Sequence, residues 1–260
     1  MLKRIFEQVK PILNSILAGL VGLAVGAIIM AIWGYAPLEA YDALFSAIFG
    51  SFYGLSSTLA RATPLILTGL TFAIGVRGGI FNIGAEGQIF MGALAAISVS
   101  LISLPPGIHV LVAIIAGAMA GAIWSLPPSF LKITRGVHEV ISTIMLNWVA
   151  LYFGMYAVVD WLGDPQRAEK SISAATSSRL PIMVSGTSLT YGLFVSLAFA
   201  LLIFFLLWRT TLGFELRVVG QNPAAANYAG INESYSINST FILGGFAAGI
   251  AGALQIIGHP

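Results

Sequence analysis

Cysteine is absent from the 260 residues, which excludes disulfides and thiolate-held metals and leaves the redox compartment open. Charge is nearly as scarce. Asp, Glu, Lys and Arg make up 8% of the chain, against about 25% in an ordinary soluble domain. The 12 basic and 10 acidic residues nearly cancel, so no basic surface invites nucleic acid. No Gly-Lys pair occurs, and with it the phosphate-cradling P-loop is missing. His109, His138 and His259 lie far apart, with no HExxH zinc motif, and no G-x-S-x-G nucleophile element exists. An enzyme, including an intramembrane protease, is not indicated. His109 reads as a hairpin-loop residue rather than a ligand.

What fills the chain instead is oil. Hydrophobic residues make up 58%, too many to clothe a water-facing surface. The fold class is therefore all-α, a polytopic membrane helix bundle. A span needs about 20 apolar residues. Charge-free gaps of that length or more run from Lys10 to Glu39, Glu139 to Asp160, Arg179 to Arg209, and onward from Glu233. The longer gap from Glu86 to Lys132 has room for two spans, turned by "SLPPGIH" at 103–109. The basic start "MLKRIFEQVK" resembles a secretory signal. The apolar run from Ile12 to Trp33 is too long for one, so a retained first span is expected. Basic residues collect in cytoplasmic loops. Lys3, Arg4 and Lys10 thus put the N-terminus inside. Glu39 and Asp42 fall outside, Lys132 and Arg135 inside, the Ser/Thr-rich loop 160–188 outside, and Arg209 and Arg217 inside.

That topology requires an odd number of crossings between 43 and 84. One straight helix over 44–76 would run about 50 Å, well beyond the ~30 Å hydrocarbon core. Pro64 and the glycines of "GVRGGIFNIGAEGQ" (75–88) point instead to an interrupted or re-entrant helix around residues 44–84. Non-helical backbone at membrane depth survives where protein or a water-filled path satisfies it. Broken helices of this kind line substrate routes in transporters. Asn82, Glu86 and Gln88 are the polar candidates for such a path, with Asn147 from the next core span. Two plainer readings stand beside this one. The glycines can serve close helix packing, as Gly22-x-x-x-Gly26, Gly117-x-x-x-Gly121 and Gly245-x-x-x-Gly249 do. Glu86 can form an anchor pair with Arg77 at the inner edge, where Glu139 is also placed. Met145, Trp148 and Tyr152 read as packing residues.

Residues 209–231, "RTTLGFELRVVGQNPAAANYAGI", lie between two spans. Asn222 is a favoured N-cap, Pro223 a favoured first helical residue, and Gly230 a C-terminal stop. The helix between them has about seven residues, near 10 Å. So short a helix must dock on something, either its own bundle or a cytoplasmic partner.

Three ordered stretches, "GIFNIGAEGQIFMGALAA", "GVHEVISTIMLNWVALY" and "TTLGFELRVVGQNPAAANYAGI", resemble the permease subunits of ATP-binding cassette importers for nucleosides and simple sugars. This family also holds the ribose and branched-chain amino acid permeases, and "FNIGAEGQ" is most similar to the nucleoside branch. The resemblance covers essentially the whole chain, which it makes a single permease domain over 1–260. Within it, 209–235 is the cytoplasmic coupling loop. It implies that Gly220, Asn222, Pro223, Ala225 and Ala226, with Arg217 ahead of them, contact the ATPase. It further implies a second permease subunit, cytoplasmic ATP-binding subunits that use the ATP, a substrate-binding lipoprotein, and a plasma-membrane location. The chain itself would bind no cofactor. Cargo would pass weak polar contacts at Asn82, Gln88 and Asn147.

Two features depart from the family pattern. His138 stands where asparagine is frequent before "EV", which puts a substrate role for that position in doubt. After about seven crossings of ~20 residues each the chain stops at "IIGHP", where relatives continue, so a C-terminally incomplete permease is expected. The alternatives are an ion-coupled secondary transporter or channel, for which Glu86 and Glu139 are the sole acidic candidates, and a branched-chain amino acid permease. The short end also leaves open a non-transporting fragment.

Overall fold

The computed structural model describes residues 2–164 and 167–258, with side chains at 13, 14, 16–164 and 170–258. His259 lies outside the described residues. The chain forms two compact units, Met1–Leu55 and Ser56–Pro260. In the first, α1 (Leu2–Ile32) turns through Gly34 at φ 79° into α2 (Pro37–Phe49), with Pro37 in its first turn. The Tyr41 hydroxyl donates to Leu23 O at 2.6 Å and ties the two helices together.

α3 (Phe52–Arg77) begins after a break at Gly50 and Ser51. Its 26 residues span about 39 Å. Pro64 lies inside α3 and does not interrupt it. The interruptions within 44–84 fall at 50–51 and at 78–84 instead. The physical reason is that a span's neighbours can re-satisfy the carbonyl a proline frees, whereas the glycines at 78–79 stop the helix outright.

Beyond that break come α4 (Ala85–Ser100), α5 (Ile108–Trp124) and α6 (Leu126–Arg135). Next are α7 (Glu139–Asp160) and a small antiparallel hairpin, β1 (Gly163–Asp164) with β2 (Arg167–Ser171). α8 (Gly192–Arg209), α9 (Thr211–Gln221), α10 (Pro223–Tyr228) and α11 (Glu233–Ile257) complete the second unit. Among the described residues five helical stretches are long and apolar enough to cross a membrane, and Ile16–Ile32 and Ala85–Ser100 are shorter apolar helices.

α11 is the hub. Its most apolar window is 72% buried, against 22–33% in the other four long stretches, because α4 and α5 flank it. The approach is backbone to backbone. A Cβ on Gly121 would stand 2.7 Å from Gly249 Cα, one on Gly245 2.8 Å from Ala122 Cα, and one on Gly92 2.7 Å from Gly249 Cα. The two small-residue motifs of α5 and α11 thus face each other, as small-xxx-small packing requires. Gly22 has no atom within 4 Å of a built Cβ, and Gly26 meets only the Tyr41 hydroxyl.

His109 does not sit in the hairpin loop. It occupies the first turn of α5, fully buried, with ring nitrogens 2.9 Å from Ser177 Oγ and 3.1 Å from Val99 O. A polar ring can be buried there because both nitrogens find partners. At that same end Leu180 N donates to Ile257 O at 2.9 Å, so the loop after α7 is stitched to α11.

Candidate functional site

The glycine-rich break closes α3 with a Schellman turn. Gly79 takes φ 71°, Ile80 N donates to Gly75 O at 2.8 Å and Gly79 N to Val76 O at 3.3 Å. Ile80 then plugs into Ile237 and Phe241 of α11. Beyond it the chain is non-helical as far as Gly84, and several of its polar groups are matched. Asn82 Oδ1 accepts from Gly84 N at 2.8 Å. Glu139 Oε1 accepts from Phe81 N at 3.3 Å, while Oε2 meets Lys132 Nζ at 2.7 Å. Glu139 thus ties the loop to α6 and α7 from a buried position. Asn147 acts as a clamp from α7. Its Nδ2 donates to Ile83 O at 3.0 Å, and its Oδ1 accepts from Gly87 N at 2.9 Å. One amide thereby satisfies the last loop carbonyl and a free N–H in the first turn of α4.

These contacts place the four polar path candidates differently. Asn82 and Gln88 are buried, at 4% and 1% exposure, and neither lines the two cavities beside the break. Glu86 is exposed and borders both. No ion pair joins it to Arg77, whose guanidinium lies over the Trp208 ring. The larger cavity, about 810 Å³, lies among α3, α4, α7 and α11, walled by Ile89, Phe90, Leu151, Met155 and Gln255 among others. The smaller, about 200 Å³, has Asn147 and Trp148 on its wall. Met145, Trp148 and Tyr152 are not packing residues within this chain. They are 55–64% exposed along one face of α7, with the Trp148 and Tyr152 rings stacked at 6.2 Å. His138 caps α7, its Nδ1 accepting from Val140 N at 3.3 Å. It thus supplies the acceptor that an asparagine would offer at that position.

The segment before the short helix is itself a helix, α9. Thr210 Oγ1 caps it by accepting from Gly213 N at 3.2 Å. Leu212, Leu216 and Val219 make its inner stripe, an i, i+4, i+7 pattern present in the sequence but hidden by the neighbouring glycines. Its end rests on the glycine-rich break. A Cβ on Gly220 would lie 2.7 Å from Gly79 N and 2.9 Å from Gly78 C, closer still to Arg77 O. Arg217 lies over Trp208, with its guanidinium 4.4 Å from the ring centre.

α10 follows the expected caps. Asn222 Oδ1 accepts from Ala225 N at 3.1 Å and Pro223 opens the helix. Gly230 at φ 77° closes it, with Ile231 N on Ala226 O at 3.0 Å. Of its six residues only Ala226 is buried, and Tyr228 is 96% exposed. The helix is held from beneath and bare on top.

A bundle of apolar helices, a hydrogen-bonded break in its middle, a cavity beside the break and a bare helix directly after the segment braced against that break define a multi-pass membrane protein of the permease class. A family model described as "Branched-chain amino acid transport system / permease component" matches residues 54–258, and the chain belongs to that family. It is 39% identical to the guanosine ABC transporter permease protein NupP of Bacillus subtilis, over 99% of this chain and 74% of NupP. It is 32% identical to the nucleoside ABC transporter permease protein NupB of Lactococcus lactis, over 97% and 72%. A glucose ABC transporter permease protein, TsgB13 of Haloferax volcanii, is 33% identical over 94% and 68%. The same two bacteria each hold a further similar guanosine or nucleoside permease, at 28% and 27% identity. No solved structure matches the chain. The chain is thus an ABC transporter permease subunit, and the ion-coupled alternative falls.

Proposed function

We propose that this permease subunit carries nucleosides inward across the plasma membrane, with its N-terminus and its α9–α10 segment in the cytoplasm. It would work beside a second permease subunit and over two ATP-binding subunits, supplied by a binding lipoprotein outside. The observation that carries the reading is the Gly79–Gly220 contact, which joins the end of α9, directly before the bare helix, to the break beside the cavity. Force applied by an ATPase to Pro223, Ala225 and Tyr228 passes through α9 into the 78–84 loop. From there it reaches the first turn of α4, which carries Glu86 on the cavity wall. Hydrolysis of ATP then belongs to the partner subunits.

The cavity chemistry favours a neutral, partly apolar cargo. Its wall is mainly aliphatic, with Glu86 the one charged side chain among the described residues. A branched-chain amino acid would bring a carboxylate, and no cation among the described residues of that wall meets it. The names of the relatives favour nucleosides, and a sugar is the second reading, supported by the likeness to TsgB13.

The test is uptake of labelled guanosine and labelled glucose in cells with and without the gene, with its natural partner genes present. Gene-dependent guanosine uptake, competed by other nucleosides and not by glucose, is the expected result. Gene-dependent glucose uptake alone would move the cargo to sugars. Uptake of neither would overturn both readings.

A further inference from the structure

The end of the bundle that carries Arg77, Lys132 and Arg217 holds an amphiphilic notch unrelated to cargo. Trp208 lies in the last turn of α8, 45% exposed, with Arg77 Cζ 5.4 Å and Arg217 Cζ 4.4 Å from its ring centre. No carboxylate lies within 4 Å of either guanidinium among the described residues. Arg217 spends its Nε on Gly213 O, at 3.2 Å. A cavity of about 340 Å³ opens beside the pair, lined by Arg77, Arg217 and Gln221 together with the apolar wall of Phe72, Ala73 and Val76. The apolar wall is the last two turns of a membrane-spanning helix, and Phe72 and Val76 remain about half exposed.

We infer that this notch seats an anionic phospholipid of the inner leaflet. The phosphate lies between the two guanidiniums, and an acyl chain covers Phe72 and Val76. Arginine matches phosphate with paired N–H donors, and stacking on tryptophan pre-orients the planar group. Tryptophan is also the residue that settles at headgroup level, and basic pockets between spans on the cytoplasmic side recognise anionic headgroups. A carboxylate from an ATP-binding subunit would satisfy the arginines but leave Phe72 and Val76 bare, so the shape of the notch favours the lipid. Because Gln221 and Gly220 line the same cavity, a seated lipid would brace the end of α9.

The experiment uses the intact transporter, purified and reconstituted in nanodiscs with equal phosphatidylglycerol and phosphatidylcholine. Retained lipid is counted by native mass spectrometry. Phosphatidylglycerol should be retained over phosphatidylcholine. R77Q or R217Q should each cut that excess about 5-fold, and the double variant about 30-fold, from the usual worth of a basic residue beside an anionic headgroup. R209Q, outside the cavity, should leave the excess unchanged. The single variants keep the test usable if the double variant fails to fold. Equal retention of both lipids, or an undiminished excess in the variants, overturns the inference. Loss of the ATP-binding subunits with lipid retention intact does so too, and assigns the notch to a protein carboxylate.

Discussion

Replacing Gly220 by alanine adds one methyl group at the joint between α9 and the broken segment. That methyl would stand 2.7 Å from Gly79 N and 2.9 Å from Gly78 C, with Arg77 O nearer still. All three are backbone atoms, so no side chain can swing aside, and Gly79 is already fixed at φ 71°. The loop and α9 must separate until these atoms reach the ordinary contact range of 3.4–4 Å. Overpacking of this kind costs about 1–3 kcal/mol. Spent on the joint, that energy shifts the coupled equilibrium about 5- to 150-fold. Gly69→Ala is the matched control. It lies in α3, a built Cβ there meets nothing within 4 Å, and alanine favours a helix over glycine by about 0.5–1 kcal/mol. The assay compares guanosine uptake per ATP hydrolysed, and the melting temperature, for the two solubilised or reconstituted variants. Gly220→Ala should lose coupling and melt earlier while inserting normally, and Gly69→Ala should do neither. Wild-type coupling and melting in Gly220→Ala would refute force transfer through this contact.

Other perturbations address the remaining parts of the site. Asn222→Ala removes the cap of a six-residue helix at a cost of about 1 kcal/mol. It should weaken co-purification of the ATP-binding subunits, and Asn222→Ser should restore it. Pro223→Asp with Ala225→Asp should abolish transport and leave membrane insertion intact, and normal uptake would remove the coupling assignment of α10. Asn147→Leu leaves Ile83 O and Gly87 N without their partner, worth about 1–3 kcal/mol for the groups stranded. It should lower the melting temperature of the purified subunit, and an unchanged melt would show that the clamp contributes nothing.

Much of the architecture was legible because the signals were local or compositional. Low charge announces the membrane, small-residue pairs mark packing faces on α5 and α11 without saying that they meet, and Asn222, Pro223 and Gly230 bracket α10. What stayed hidden depended on three-dimensional neighbours. Pro64 carries the sequence signature of a breaker, but whether its lost hydrogen bond matters is decided by the surrounding helices. The burial of His109 depends on Ser177, which arrives from a distant loop. Asn82, Gln88 and Asn147 all look like path-lining polar groups in sequence. Their neighbours engage the Asn82 and Asn147 amides in holding the broken segment, leave Asn147 on the wall of the smaller cavity and bury Gln88 away from both cavities. Trp148 and Tyr152 face outward from this chain, and a membrane span carries no polar face that would show which side does so. The meeting of Gly79 with Gly220 had no sequence signal at all, since glycines serve turns, caps and contacts alike.

The glycine seams between α11, α5 and α4 bear on how such a subunit can move. Sliding α5 by one residue along α11 would bring Ala118 or Ala122 to the places where Gly117 and Gly121 now meet the partner backbone, and a methyl group does not fit there. Gears with a single meshing position cannot slip, so these three helices must tilt as one lever. In the proposed cycle, flexure would fall on the helix breaks outside these seams, at residues 78–84 and at the turn between α9 and α10. A push on the six-residue α10 would then move the three helices together.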